Sequence, residues 1–358
     1  MVKKLTRSNR EIFLEILKDP DRKPLYQIFS ECLNLLFTYK EMPVHYISRY
    51  LFKKQVTNIK DYLPNNLLGK IPSHFNDQKI KEVLDNKLYF DLFYSQFNIR
   101  LPKILMYNHR KTFIVGKKVV EINNIQDFKI LMEEIFSQNP EYTSIIIKKT
   151  YASSSGSKIF KLFRHINKID PVIMEGIFSE VHNSEFLFQE TLKQHPELNQ
   201  LNGSCLNTIR IDTFIDKEGK IDIISAYLRL GMNNCNVDNI SSGGCGIGID
   251  LQTGKLKKYG YGIVQTCGVE IFTEHPTSKA KFENFNIPFF NQVKELVVKA
   301  AGLVPVLRLV GWDVAIGESG PFLIEGNSDY DTSGNDLADE GYMANPVYRK
   351  VLHEINYL

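Results

Sequence analysis

At 358 residues and 43% hydrophobic, the chain is long enough to bury one large core or two to three smaller ones. Forty-four Lys and Arg against 41 Asp and Glu leave a formal charge of +3, too balanced to argue for a nucleic-acid partner. Five cysteines with no CxxC pair and no metal-type spacing read as reduced thiols of a cytoplasmic protein, and no signal peptide or spanning-length apolar run stands in the sequence.

In chain order, residues 1–75 read as a helical region. Aromatic and aliphatic residues recur at three- and four-residue steps over Asn9–Lys18, Pro24–Tyr39 and Pro43–Lys54. The third segment carries Tyr46, Arg49, Tyr50, Phe52, Lys53 and Lys54. Such a face either packs on the rest of the protein or makes a peripheral contact with anionic lipid or a glycan. Residues 1–100 hold a surplus of six positive charges, which favours an acidic partner or a membrane surface.

A long helix is expected from Asp77 to Phe97, then Asn98-Ile-Arg-Leu-Pro102 and a strand over Lys103–Tyr107. Short strands around Thr112–Val115 and Lys118–Glu121 and a helix over Ile125–Phe136 follow. Ser144–Lys149 is a strand of three isoleucines ending in two lysines, leading into the small-residue loop Tyr151–Ser157. A cation closing an apolar strand ahead of such a loop places an ammonium and backbone N–H groups for phosphates. Lys158–Phe163 is another strand, Val172–Val181 a helix, and Phe186–Glu190 a strand that breaks at Gln194-His-Pro196. Antiparallel strands are expected over Leu206–Ile215, Lys220–Leu230, Gly246–Leu251 and Lys255–Tyr261, then a helix over Phe289–Ala301.

On the first of these strands Arg210 alternates with Thr208 and Asp212, opposite Ile209 and Ile211; on the next, Arg229 shares a face with Tyr227 and Ser225. A sheet arginine that is buried needs an anionic partner. A carboxylate or phosphate substrate supplies one with bidentate geometry; a structural salt bridge with Asp212 or Asp222 is the competing reading.

The last strands form a hairpin, Val310–Ile316 and Pro321–Asn327 around Glu318-Ser319-Gly320. Alternation puts Glu325 and Asn327 on one face, roughly 6–7 Å apart. Asp313 shares its face with Gly311 and Ala315, which predicts open space around its carboxylate. Two carboxylates and an amide carbonyl on one spot suit Mg²⁺, which keeps waters and takes further ligands from phosphates. The competing reading is an ordinary hairpin with acids facing solvent.

Asp313, with Glu325 twelve positions on and Asn327 two beyond that, resembles the magnesium-ligand pattern of the ATP-grasp superfamily. Leu206–Asp212, Ala226–Gly231, Val237-Asp-Asn239 with Gly243-Gly244, and Ile249–Gly254 resemble one branch, the sugar-transfer-associated ATP-grasp proteins. The likeness covers about residues 80–358. The implied fold is α+β: a helical N-terminal region (1–75), a pre-grasp α/β segment (76–123), a small lobe (124–190) and a large antiparallel lobe with the metal site (191–358), ATP being clamped between the lobes.

The resemblance implies site residues. Lys87, ahead of Asn98-Ile-Arg-Leu-Pro, matches the first ATP-binding lysine, with Asn98 standing where the family often has Gly. Lys148 or Lys149 matches the second, Lys148 counted forward along the apolar run and Lys149 counted back from Gly156-Ser-Lys-Ile159. Phe188-Gln189-Glu190-Thr-Leu192 is similar to the linker that reads adenine, with Glu197 a candidate for the ribose. Asp238-Asn239 with Ser241-Ser-Gly-Gly244 resembles a loop over the active site, and Asp331 stands where it could face the acceptor. His165, His195 and His275 suggest no site.

The implied activity is an ATP- and Mg²⁺-dependent carboxylate–amine ligase acting through an acyl phosphate. Arg210, Arg229 and Lys148 would stabilise the reacting groups. The substrates would be small carboxylates and amines (an amino acid, an aminosugar or a sugar-linked compound) of surface-polysaccharide biosynthesis. The alternative is a kinase passing phosphate to a small hydroxyl compound.

Overall fold

The computed structural model describes residues 14, 16–67, 71–151, 159–232, 238, 243–264 and 268–357. Among them lie two antiparallel sheets, each with its own core. The smaller is built from β1 (Ile104–His109), β2 (Thr112–Val115), β3 (Lys118–Glu121), β4 (Ser144–Lys149), β5 (Ile159–Phe163) and β6 (Glu185–Glu190), in the order β3-β2-β1-β6-β4-β5. Helices Ile125–Gln138 and Pro171–His182 cover one face, started by Asn124 and Asp170, whose side chains accept from Asp127 and Val172 N–H groups. Ile145 and Ile147 enter that core with Phe128, Met132 and Phe188. Alternation along β4 therefore turns Ile146 and Lys148 to the opposite face.

The larger sheet comprises β7 (Thr208–Ile215), β8 (Ile221–Leu230), β9 (Cys245–Ile249), β10 (Leu256–Val264), β11 (Gly268–Phe272), β12 (Leu309–Gly317) and β13 (Gly320–Asn327), in the order β11-β10-β9-β8-β7-β12-β13. Its two faces differ in chemistry. Ile209, Ile211, Leu228, Trp312, Val314 and Leu323 form one face, buried under helix Phe290–Leu303 together with Leu84, Phe90 and Tyr94. The other face carries Arg210, Asp212, Arg229 and Asp313. At one end it is closed by Leu63, Leu67, Ile71 and Phe75 and by the C-terminal helix Pro346–Glu354, which share a core with Phe214, Ile224 and Leu309. The opposite end is the candidate site.

Several expectations change in three dimensions. The segment 76–123 is not one unit: its helical part packs in the core of the large sheet, while β1–β3 are half of the small one. The helix expected over Asp77–Phe97 is two, Glu82–Asp85 and Lys87–Tyr94, because Asn86 is extended (ψ 112°) and caps the second through Leu88 and Tyr89 N–H. Helix Pro43–Lys54 shortens to Val44–Ser48, since Tyr50 takes a left-handed φ of +59° and the chain turns back to bond Lys23 N–H to Phe52 O. Three of its aromatic and basic residues, Tyr46, Arg49 and Phe52, are buried, so the packing reading holds for them, whereas Lys54 is exposed. Leu25–Tyr39 is helical as expected, and most of Asn9–Lys18 lies outside the described residues. Strand β11 and helices Ser333–Ala338 and Pro346–Glu354 had no expectation.

Candidate functional site

One row of cross-strand partners runs over the polar face of the large sheet. Glu325 on β13 faces Asp313 on β12, Asp313 faces Arg210 on β7, and Arg210 faces Tyr227 on β8. The adjacent row is Asn327, Gly311, Asp212 and Ser225. A β-bulge between β12 and β13 makes this possible: Asp313 pairs with Glu325 but Val314 pairs with Leu323, leaving Ile324 as an extra residue. Leu323 thereby reaches the core while Glu325, of the same parity, reaches the polar face.

The space expected around Asp313 is filled. Its carboxylate is buried, with Arg210 Nε 2.6 Å from Oδ1 and Arg229 Nη2 2.5 Å from Oδ2. The arginines thus find their anion in Asp313 rather than in Asp212 or Asp222. Asp222 pairs with Lys220 and Lys350, and Asp212 accepts from Tyr342 and Asn335. Arg229 also donates to Thr208 Oγ1 at 2.9 Å, and Thr208 donates to Asp238. Asp238 itself lies 3.7 Å from Arg229.

Glu325 Oε2 lies 3.2 Å from Lys87 Nζ. Lys87 opens its helix immediately after the Asn86 cap, and its N–H donates to Thr150 O at the end of β4, which joins the helix to the small sheet. From that sheet comes Lys148, buried and, among the described residues, with no hydrogen bond or ion pair of its own. Burial and the positive Lys87 pull its ammonium down to about 8, against Glu325, Asp91 and Asp313. Burial pushes Asp313 up against the pull of Arg210 and Arg229. Glu325 is held below the carboxylate range, because Lys87, its contact with Asp313 and Lys148 outweigh burial. The two abutting carboxylates thus push each other's ionisation apart.

Lys149 leaves β4 on the opposite face from Lys148. Gly156 lies outside the described residues, as do Val237, Asn239, Ser241 and Ser242. Gln189 is buried on the Lys148 side, its Nε2 3.4 Å from Pro102 O and 3.5 Å from Asp91 Oδ2. Glu190 accepts the Lys103 N–H at 2.8 Å, pinning the start of β1 to the end of β6. Leu192 is half-buried, and Glu197 is exposed in the first turn of helix Pro196–Leu201, capped by His195. Asp331 is exposed and accepts from Ser333 N–H. His275 is a buried structural residue bonded to Gly231 O. Asn98 takes the left-handed φ of +53° expected of a Gly stand-in.

Asp91 was not foreseen. It lies one turn beyond Lys87, a spacing that puts both on one helix face, and burial lifts its carboxyl to about 6 against the pull of Lys148.

The donor set suits a hard cation. Two carboxylates face each other across the β12–β13 pair, and Asn327 directs Nδ2 to Gly311 O at 3.1 Å, which turns its Oδ1 away from that bond. Among the described residues no cluster of three His, Cys, Asp or Glu forms, so a metal here needs phosphate and water to complete its shell.

The family model described as sugar-transfer associated ATP-grasp matches residues 70–349. Similar solved structures include D-alanyl-alanine synthetase A from Vibrio cholerae (13% identity, TM-score 0.45, covering 76% of this chain and 65% of that one). Biotin carboxylase from Campylobacter jejuni (6%, TM-score 0.44) is covered over 46% of its length by 76% of this chain. N5-carboxyaminoimidazole synthetase from Staphylococcus aureus in complex with ADP (8%, TM-score 0.37) is covered over 46% by 70% of this chain. The chain therefore spans less than two thirds of each. No curated protein matches it.

Proposed function

Because the chain belongs to the sugar-transfer associated ATP-grasp family, we propose that it is an ATP- and Mg²⁺-dependent ligase joining a small carboxylate to an amine. The observation that carries this reading is Lys148: a buried cation with no hydrogen bond or ion pair among the described residues, between the two sheets, beside Lys87 and the paired carboxylates. A desolvated ammonium is costly unless an anion meets it. A nucleotide polyphosphate entering the seam meets both lysines at once.

Asp313, Glu325 and Asn327 would hold Mg²⁺, which neutralises charge on phosphates as the γ-phosphoryl group transfers. Arg210 and Arg229 are kept rigid by Asp313 and Thr208. Their guanidinium charges can orient a substrate carboxylate, and the same groups stabilise the acyl phosphate formed from it and the tetrahedral species produced when the amine attacks. Gln189, Glu190 and Leu192 would frame the adenine, and Glu197 the ribose. Pro102 O and the backbone of β6 are the neighbouring polar groups. Within this reading the amine or the carboxylate is an amino acid, aminosugar or sugar-linked compound of a surface polysaccharide.

The test is product analysis with ATP and a panel of amino acids and aminosugars. A ligase releases ADP and phosphate only when carboxylate and amine are both present, and yields an amide. Release of ADP with one alcohol alone, giving a phosphate ester, would replace the ligase with a kinase. Production of AMP would remove both.

A further inference from the structure

Helix Leu25–Tyr39 is predominantly apolar, with Glu31 its one charged residue and Gln27, Ser30, Asn34 and Thr38 its uncharged polar ones. Its inner face is accounted for: Leu35 is fully buried, with Ile28, Cys32 and Tyr39 packed beside it on Tyr46 and Leu51. Its outer face is not. Tyr26, Phe29, Leu33 and Phe37, spaced by three, four and four residues, form a stripe along one side, and Met42 continues it past the helix end. Tyr26 is 78% exposed, Phe29 67%, Phe37 77% and Met42 71%. Isolated exposed apolar residues are ordinary; a stripe of large ones along three turns needs a second partner.

Charge identifies it. Residues 1–60 hold 12 Lys and Arg against 6 Asp and Glu, a surplus of six, whereas residues 61–358 hold 32 against 35. The whole positive excess of the chain lies in the segment that bears the stripe. Lys40 stands at the C-cap of the helix, followed by Glu41, and Lys18, Arg22 and Lys54 line, together with Asp19, a cleft of about 410 Å³ beside Pro24, its N-cap. Arg22 and Lys54 already donate to backbone carbonyls there, which holds the cationic groups in place. Protruding aromatic side chains beside a basic end match the layered chemistry of a bilayer surface, anionic headgroups over hydrocarbon.

We propose that this face is the membrane-docking surface of the protein: the stripe enters the headgroup–acyl boundary of an anionic bilayer, and the flanking cations meet lipid phosphates. Among the described residues no helix is long and apolar enough to cross a membrane, so the contact is peripheral. The binding itself rests on no assignment of activity.

The test is cosedimentation of the full chain with phosphatidylcholine vesicles, with and without one third phosphatidylglycerol. Binding is expected to the anionic vesicles, weakening in high salt. The double variant Phe29→Ser, Phe37→Ser is expected to lower partitioning roughly tenfold or more. Its melting temperature should hold, since both side chains face solvent. No cosedimentation with anionic vesicles, or equal binding by the double variant, overturns the proposal. So does a dimer in sedimentation velocity that the same two substitutions dissolve, which would make the stripe a contact between copies.

Discussion

Asp313 is both a candidate metal ligand and the counter-ion of two buried guanidinium groups, so its replacement acts twice. Asp313→Asn is expected to remove ATP turnover and to lower apo stability by roughly 3–5 kcal/mol, because breaking a buried ion pair leaves charge uncompensated; a denaturant melt beside a turnover assay reads both. Lys148 behaves in the opposite way. Lys148→Met relieves a buried charge, so apo stability should hold or rise, while nucleotide affinity falls roughly 10- to 100-fold by calorimetry. Lys149→Met, on the other face of β4, should leave affinity unchanged. Alternation in the sequence puts Glu325 and Asn327 on one face, while it leaves Lys148 and Lys149 as alternatives. The partner of Arg210 could not be read there: it is set by the pairing of β7 with β12, which brings together residues 103 apart in the chain.

At the scale of elements, sheet strands were readable where apolar residues alternate or run on, as in Ile145–Ile147 and Ile209–Ile211. Breaks were not: Asn86 sits in a helical pattern and still divides it, because its side chain satisfies two N–H groups that a continuous helix would have used. The Ile324 bulge also leaves no periodic trace, yet it sorts Leu323 inward and Glu325 outward. Deleting Ile324 should force one of the two onto the wrong face. The expected outcome is loss of ATP turnover with a stability cost of about 2–5 kcal/mol if Leu323 leaves the core. Full activity in a normally folded deletion variant would show that the bulge does not set the site.

For the whole molecule, the N-terminal region is fastened by Arg49 to helix Ser333–Ala338, which packs on the large sheet; Arg49 pairs there with Asp336 at 2.7 Å in the interior, beside His45. Burial and the Arg49 charge push His45 down to about 4 from 6.5, and neither ring nitrogen has a hydrogen-bond partner among the described residues. The unfolded chain therefore binds this proton more readily between those values. The contribution of a neutral His45 is present in full above pH 6.5 and is lost as pH falls towards 4. Each unit in that window is worth up to about 1.4 kcal/mol. Denaturant melts from pH 7 to 4 should show the loss, and His45→Leu should flatten it.

The hydrogen bond from Lys87 N–H to Thr150 O has one more consequence. The helix it begins is rooted in the core of the large sheet, while Thr150 directly follows β4 of the small one. Any swing of one sheet away from the other, to admit a nucleotide or let ADP leave, must therefore either break that bond or bend the chain at Asn86. The amide proton of Lys87 is thus a built-in gauge of gaping between the lobes: its exchange with solvent should slow when a bound ligand holds them shut.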